Sequence, residues 1–519
     1  MDNIAAVREF MSSNDIDYLL VNSTNEFLVE YNTLEENSRY KLTNFSGSTG
    51  DALVTPDSIY LFVDGRYHIQ ADMEVNHDIV TVVKLDSGAQ FLHELLNRVP
   101  DEAALGVFSK KISRKMFESL AKERFIKPFD NDPLDNSDSK LFGDNVKIDL
   151  KLCGSSVEDK AKEIAGIITE DEIVYITDLD EVSYFYNLRN FSQDYSAKVR
   201  AKALVYKSHP VLFLQEDFPS LYEVLKTSDK EILVDKSTIS AYDYNLIKYP
   251  KEMKLSVLKL MKSKKNDAEI NHLKDAFKRT DAAVSAIREY IENNENLSEF
   301  DISQRLREEF KSQGAVALSF SPIVAIDENS ALAHYSKASK TKILNDGGLV
   351  LIDCGAYFAG GLATDITRVF VKGTPKPIHK KIYTFVLKAF LNAFNHPKTD
   401  ETTGFDIDSS VHKFFDEQSL DGFVFNHGLG HGIGINVHEA PPNLSQNEIA
   451  KVKIEDGMCF TIEPGLYKQG QFGVRLENSC YCENGEIKSF VNMNYEKKLI
   501  DFDMLTQQEK QWLSEFEVK

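Results

Sequence analysis

The segment LVLIDCGAYFAGGLATDITRVF, residues 349–370, decides the fold of the C-terminal half of the chain. Leu349-Val-Leu-Ile352 is an unbroken apolar run, the mark of a strand buried on both faces. It ends at Asp353 before Cys354-Gly355, and a second apolar run, Ile366–Phe370, begins directly after Asp365. Gly360-Gly361 supply a turn between them. A hairpin of this kind brings Asp353 and Asp365 side by side. Burying two adjacent carboxylates is costly unless cations compensate them.

The same pattern recurs further on. Glu463 lies in Phe460-Thr-Ile-Glu-Pro-Gly465 and Glu477 in Phe472-Gly-Val-Arg-Leu-Glu-Asn478, each after a strand-like apolar stretch. Of the 12 histidines, His427, His431 and His438 cluster in the single stretch HGLGHGIGINVHE. Glycines at 428, 430, 432 and 434 clear side chains from around them, so backbone or substrate can approach closely. Any one of these acids alone reads as a cap or a surface residue. Four of them beside a glycine-framed imidazole read as a ligand cluster. Such a set suits Mn²⁺, Co²⁺, Fe²⁺ or Zn²⁺ and suits copper(I) poorly. Two divalent cations would balance four carboxylates and acidify a water between them, so the expected chemistry is metal-assisted hydrolysis.

Working outward, Asn266 caps a helix with Glu269 three residues on as its capping-box partner. Ile270, Leu273, Phe277, Val284, Ile287 and Ile291 give that helix an apolar face. A domain boundary therefore falls near Lys262-Ser-Lys-Lys265. Two blocks of the first half resemble each other. Asp17–Val21, Ala52–Val54 and Ile59–Val63 in one answer to Glu172–Ile176, Ala203–Val205 and Val211–Leu214 in the other. Helical stretches open both blocks, at Ile4–Ser12 and Val157–Ile168, which is the signature of α/β units. Asp130–Ser139, rich in Asp, Asn, Ser and Pro, reads as a linker. The expected domains are 1–130, 140–260 (a repeat of the first) and 261–519, in a length of 519 residues that exceeds a single core.

Composition narrows the function classes. With 60 Lys+Arg against 81 Asp+Glu the net charge is -21, which disfavours a nucleic-acid partner. No apolar run reaches the roughly 18 residues needed to span a bilayer, and no basic-then-apolar leader opens the chain. Five scattered cysteines, Cys153, Cys354, Cys459, Cys480 and Cys482, read as free thiols in a reducing, cytoplasmic setting, with Cys480 and Cys482 as two strand residues.

At these residues the chain resembles the aminopeptidase P (Xaa-Pro aminopeptidase) family, in its three-domain cytosolic form. That family belongs to the pita-bread metallopeptidases, with prolidase, methionine aminopeptidase and creatinase. Asn44-Phe-Ser-Gly-Ser-Thr-Gly50 and Asp64-Gly-Arg-Tyr67 look like first-domain motifs, and Leu179-Asp-Glu181 and Asn187-Leu-Arg189 like second-domain motifs. Leu318-Ser-Phe320 to Leu476-Glu-Asn478 looks like the catalytic domain. The implied fold class is α/β (α+β), with two small creatinase-N-terminal-like α/β domains before a pita-bread catalytic domain.

The resemblance also implies roles. Asp353 would chelate a first metal, Asp365 and Glu477 would bridge both, and His431 and Glu463 would bind the second. The cofactor would be two divalent ions, Mn²⁺ as the usual choice, with Zn²⁺, Co²⁺ or Fe²⁺ as alternatives. A dimetal-bridging hydroxide would attack the Xaa-Pro bond, with Glu463 carrying its proton to the leaving proline nitrogen. His334, in Ala331-Leu-Ala-His-Tyr335, would stand beside the proline pocket, His438 would bond the substrate near the scissile carbonyl, and His427 would be a further site histidine. Arg475 and Tyr467 would support ligands and substrate, and Arg66 would limit substrate length. Partners would be peptides with a penultimate proline and a second copy of the chain, joined through the catalytic domain. Prolidase is the nearest alternative, set aside because it carries one N-terminal domain. A catalytically inactive pita-bread binding protein is a further alternative, but such scaffolds typically lose ligands.

Overall fold

The structure, a computed structural model, describes residues 2–85, 90–135, 143–254 and 256–516. Residues 136–139 of the expected linker lie outside the described residues. The chain forms two compact units. One comprises Met1–Gly143, Ser155–Leu188 and Val199–Leu258, and the other Asp144–Gly154, Arg189–Lys198 and Lys259–Lys519.

Among the described residues, the first unit holds a six-stranded and a five-stranded sheet. In the first sheet Tyr18–Val21 pairs antiparallel with Asp51–Val54, which pairs antiparallel with Ile59–Val63. On its other side Tyr18–Val21 runs parallel to Ala104–Phe108, and that strand runs parallel to Phe125–Phe129. The second sheet repeats this order and sense. Glu172–Ile176 pairs antiparallel with Ala201–Tyr206 and, on the other side, parallel with Glu231–Val234. Pro210–Leu214 and Pro250–Glu252 complete it. The likeness of short apolar runs thus reflects a shared strand order; the first sheet adds Val80–Lys84 at its edge.

Within this unit, main-chain hydrogen bonds join the segment after the Ala104–Phe108 strand to the start of the Ala241–Leu246 helix. Ala241 N–H donates to the Ile112 carbonyl at 2.9 Å and Tyr242 N–H to the Ser109 carbonyl at 3.0 Å. A buried ion pair, Arg200 to Glu36 at 2.6 Å, adds a fixed contact.

The second unit opens on the Asp267–Asn293 helix. The Asn266 side chain accepts from the Ala268 and Glu269 N–H groups, and Glu269 returns a bond to the Asn266 N–H at 3.1 Å. All six apolar residues expected on its inner face are buried. Three antiparallel strands, Ile323–Ile326, Leu349–Cys354 and Ile366–Val371, follow, and every residue of the latter two is buried. A second antiparallel sheet contains Cys459–Ile462 and Asn478–Glu483. The Gly465–Lys468 and Phe472–Arg475 hairpin lies between these two strands in the chain. One apolar cluster, including Leu351, Val369, Phe390, Leu429, Phe460 and Leu476, packs these sheets against the Pro377–Phe394 and Gly404–Asp416 helices. All five cysteines are buried free thiols, and Cys480 and Cys482 are strand residues. Among the described residues no helix is long and apolar enough to cross a membrane.

Candidate metal centre

The hairpin predicted from residues 349–370 forms, in a register slightly different from a simple face-off. Asp353 stands opposite Thr367, and Cys354 opposite Ile366. Asp365 precedes the second strand by one residue. Because side chains alternate along a strand, Asp365 and Thr367 share a face, and Asp353 joins them there. Glu477 arrives just before the Asn478–Glu483 strand, where its N–H donates to the Thr367 carbonyl at 3.2 Å. Glu463 follows Cys459–Ile462, with its N–H on the Leu429 carbonyl at 2.8 Å.

These segments bring the five expected ligands together. Asp365, His431 and Glu477 each offer a ligand atom within 4.8 Å of the others. His431 Nε2 stands 3.4 Å from Glu463 Oε1 and 3.8 Å from Asp365 Oδ2. Its Nδ1 faces the Gly432 carbonyl at 3.1 Å; a proton held there leaves the Nε2 lone pair directed at the carboxylates. Asp353 is tied in through Arg475, whose Nη2 donates to Oδ2 at 2.6 Å.

The donor set fits divalent cations. Asp353 Oδ1 and Glu477 Oε1 are buried and accept no hydrogen bond, an arrangement that costs free energy unless another partner takes the lone pairs. Burial first, then repulsion from neighbouring carboxylates, pushes Asp365 and Glu477 well above the usual carboxylate range. Burial likewise pushes Glu463 up to about 7, against the pull of Arg475. A single buried guanidinium does not balance four carboxylates, whereas two divalent ions do.

The surrounding residues form a connected frame. Arg475 Nη1 donates to the Tyr467 hydroxyl at 2.7 Å, and that hydroxyl lies 2.9 Å from His427 Nε2. Arg475 also holds the Ala333 carbonyl at 3.2 Å, fixing the turn that carries half-buried His334. His438 meets His431 edge to face, ring centroids 4.3 Å apart. Arg66 lies in the first unit, clasped by Asp64 at 3.0 and 2.8 Å and by Thr49 at 3.0 Å.

Three supporting residues escaped the sequence reading. Thr367 Oγ1 donates to Glu477 Oε2 at 2.7 Å. Arg368, fully buried, donates to the Glu477 carbonyl at 2.7 Å and to Asn478 Oδ1 at 2.8 Å. Glu299, in the first turn of the Glu299–Ser312 helix, accepts four bonds: Ile326 N–H at 2.7 Å, Asn329 Nδ2 at 2.9 Å, Tyr335 hydroxyl at 2.6 Å and Ser339 N–H at 2.8 Å. For Thr367 a signal was available in its spacing of two from Asp365. Nothing local marked Glu299.

A pita-bread fold presenting a carboxylate–histidine cluster of this kind defines a metallopeptidase. Residues 271–484 match metallopeptidase family M24, and residues 3–131 match the creatinase/prolidase N-terminal domain. Over those residues the chain resembles an M24 metallopeptidase domain preceded by a creatinase/prolidase-type N-terminal domain. It is 28% identical to Xaa-Pro aminopeptidase 1 of Dictyostelium discoideum, over 99% of this chain and 91% of that protein. It is also 28% identical to a probable Xaa-Pro aminopeptidase P of Pyricularia oryzae, over 99% and 94%. The fold matches the crystal structure of X-prolyl aminopeptidase from Caenorhabditis elegans, described as a cytosolic enzyme with a di-nuclear active site. The TM-score there is 0.88 at 20% identity, covering 96% of this chain and 90% of that one.

Proposed function

We propose that the chain is a metal-dependent aminopeptidase that releases the N-terminal residue from peptides with proline in second position. The observation that carries this reading is the end-to-end likeness to Xaa-Pro aminopeptidases, 99% of this chain, which includes the whole N-terminal half. A one-domain N-terminal region, as in prolidase, leaves the second sheet without a counterpart. We read the chain as three domains, 1–130, 140–260 and 261–519, the first two sharing strand order.

Asp353, Asp365, His431, Glu463 and Glu477 would hold two divalent ions, Mn²⁺ by preference. Bound there, the ions supply Lewis acidity toward the scissile carbonyl and acidify a water. The rest of the work falls to side chains. Glu463, at the edge of the cluster, accepts the proton of the attacking water and returns it to the leaving proline nitrogen. His438 orients the scissile carbonyl, and His334 lines the proline side. Arg475 holds Asp353 in place through its 2.6 Å contact, and with Tyr467 and His427 forms a hydrogen-bonded support that resists displacement during turnover. Arg66 is assigned to limiting substrate length. A homodimer through the catalytic domain and a cytoplasmic setting complete the reading.

Parallel assays of an Arg-Pro-Pro peptide and an Xaa-Pro dipeptide with added Mn²⁺ test it. Release of the N-terminal arginine supports the assignment. Cleavage of the dipeptide alone moves it to prolidase, and no cleavage of either by Mn²⁺-loaded protein rejects both.

A further inference from the structure

The glycine pattern between His431 and His438 has a cause outside the carboxylate cluster. The side chain of Glu439 turns back into the loop that it ends. Its Oε2 accepts from the Ile435 N–H at 3.0 Å, and a Cβ on Gly434 would lie 2.2 Å from its Oε1. The Glu439 N–H donates to the Gly432 carbonyl at 2.8 Å, and a Cβ on Gly432 would lie 1.9 Å from the Glu439 carbonyl oxygen. Gly432 and Gly434 therefore leave the space that Glu439 fills.

Two buried lysines complete the arrangement. Lys265 Nζ lies 2.7 Å from Oε1 and Lys262 Nζ 3.4 Å from Oε2, with all three side chains 2–3% exposed. Lys265 is itself anchored, its N–H donating to the Gly457 carbonyl at 2.8 Å just before the Cys459–Ile462 strand that leads to Glu463. A carboxylate adjoining a site histidine invites reading as a ligand. Here both oxygens are committed to ammonium groups and a backbone N–H. The loop they fix carries His431 at one end and His438 at the other, with ring centroids 4.3 Å apart.

We propose that Glu439, gripped by Lys265 and Lys262, is a positioning residue for the peptidase reaction, binding no metal and setting where His438 stands relative to His431. The kinetic part of the proposal rests on the aminopeptidase reading above. A carboxylate in this place can fix the loop only while its charge is paired, since removing one partner strands a buried charge.

The test compares Glu439→Gln, Glu439→Gln with Lys265→Met, and Lys264→Met, the last altering an exposed pair with Glu455. Melting temperature, bound Mn²⁺ per chain, and kcat and KM on an Arg-Pro-Pro peptide are measured for each. Histidine side-chain NMR signals are recorded on Zn²⁺-loaded protein. The double variant, which keeps Lys262, is expected to recover part of the stability lost in Glu439→Gln and to bind Mn²⁺ as wild type does. Its kcat stays about tenfold or more below wild type with KM little changed, in the range seen when groups orienting a metal site are removed. The His438 signal moves in both Glu439 variants and not in Lys264→Met. Recovery of kcat together with stability, loss of Mn²⁺ from the double variant, or an unmoved His438 signal each overturns the proposal. Should wild type cleave no Xaa-Pro peptide, the functional reading fails, and the His438 signal still decides the role of Glu439.

Discussion

Thr367 Oγ1 donates to Glu477 Oε2 at 2.7 Å, while Glu477 Oε1, equally buried, accepts no hydrogen bond. One oxygen of the carboxylate is fixed by the protein, and the other is open to the proposed cation. The arrangement makes Thr367 an orienting group for a proposed bridging ligand. Thr367→Val keeps the shape of the side chain and removes the donor. We expect Mn²⁺ affinity, measured by competition with a chelating dye, to fall about tenfold or more. Unchanged affinity would mean that the hydrogen bond does not hold Glu477 for metal.

Glu463 is assigned proton transfer as well as metal binding. Glu463→Gln keeps a ligand oxygen and loses the base. The expected result is a fall in kcat of at least about a hundredfold, the scale of a general-base contribution. Circular dichroism should show the wild-type fold. Near-normal turnover would reject the assignment.

Glu299 holds Tyr335, next to His334, together with three other donors around the same turn. Glu299→Ala leaves four donors without their acceptor. Urea denaturation should show a loss on the order of 3 kcal/mol or more, since each orphaned buried group costs about 1–3 kcal/mol. If the turn places the proline subsite, KM for Xaa-Pro peptides should also rise. A stable variant with unchanged KM would show that the turn holds itself.

The pH dependence of stability can be traced to His272. It is buried on the Asp267–Asn293 helix, its Nε2 has no hydrogen-bond partner, and burial, with help from Arg189, lowers its pKa to about 4. An unfolded histidine titrates near 6.5. As pH falls from 6.5 toward 4, the unfolded chain takes up a proton that the folded chain refuses. The group's contribution is therefore full above pH 6.5 and is lost on acidification. His272→Leu should melt higher than wild type at pH 5, by an amount corresponding to about 2 kcal/mol, and should lose that advantage by pH 7.5. The same melting difference at both pH values would place the acid sensitivity elsewhere.

Local patterns made much of this molecule readable before folding. The Asn266–Glu269 capping box, the apolar face of the helix it starts, and the two strands around Asp353 and Asp365 depend on neighbours a few residues apart. The cluster of acids could be guessed because each borders an apolar run, so burial, and with it a need for cations, was implied. Residues whose partners are remote in sequence were not readable. Glu299 meets Ile326 to Ser339, Thr367 meets Glu477, and Lys265 meets Glu439, each across a distance fixed only by the tertiary fold. For the same reason Asp144–Gly154 and Arg189–Lys198, which in sequence fall within the second α/β block, pack with the C-terminal unit.

The central claim is that the carboxylate–histidine cluster is built for two divalent cations. Metal-free protein dialysed against Mn²⁺ and analysed for bound metal tests this most directly, with Asp365→Ala beside wild type. The account predicts two Mn²⁺ per wild-type chain, with the loss of at least one from the variant. Fewer than one ion per wild-type chain, or a variant that still binds two, would contradict it.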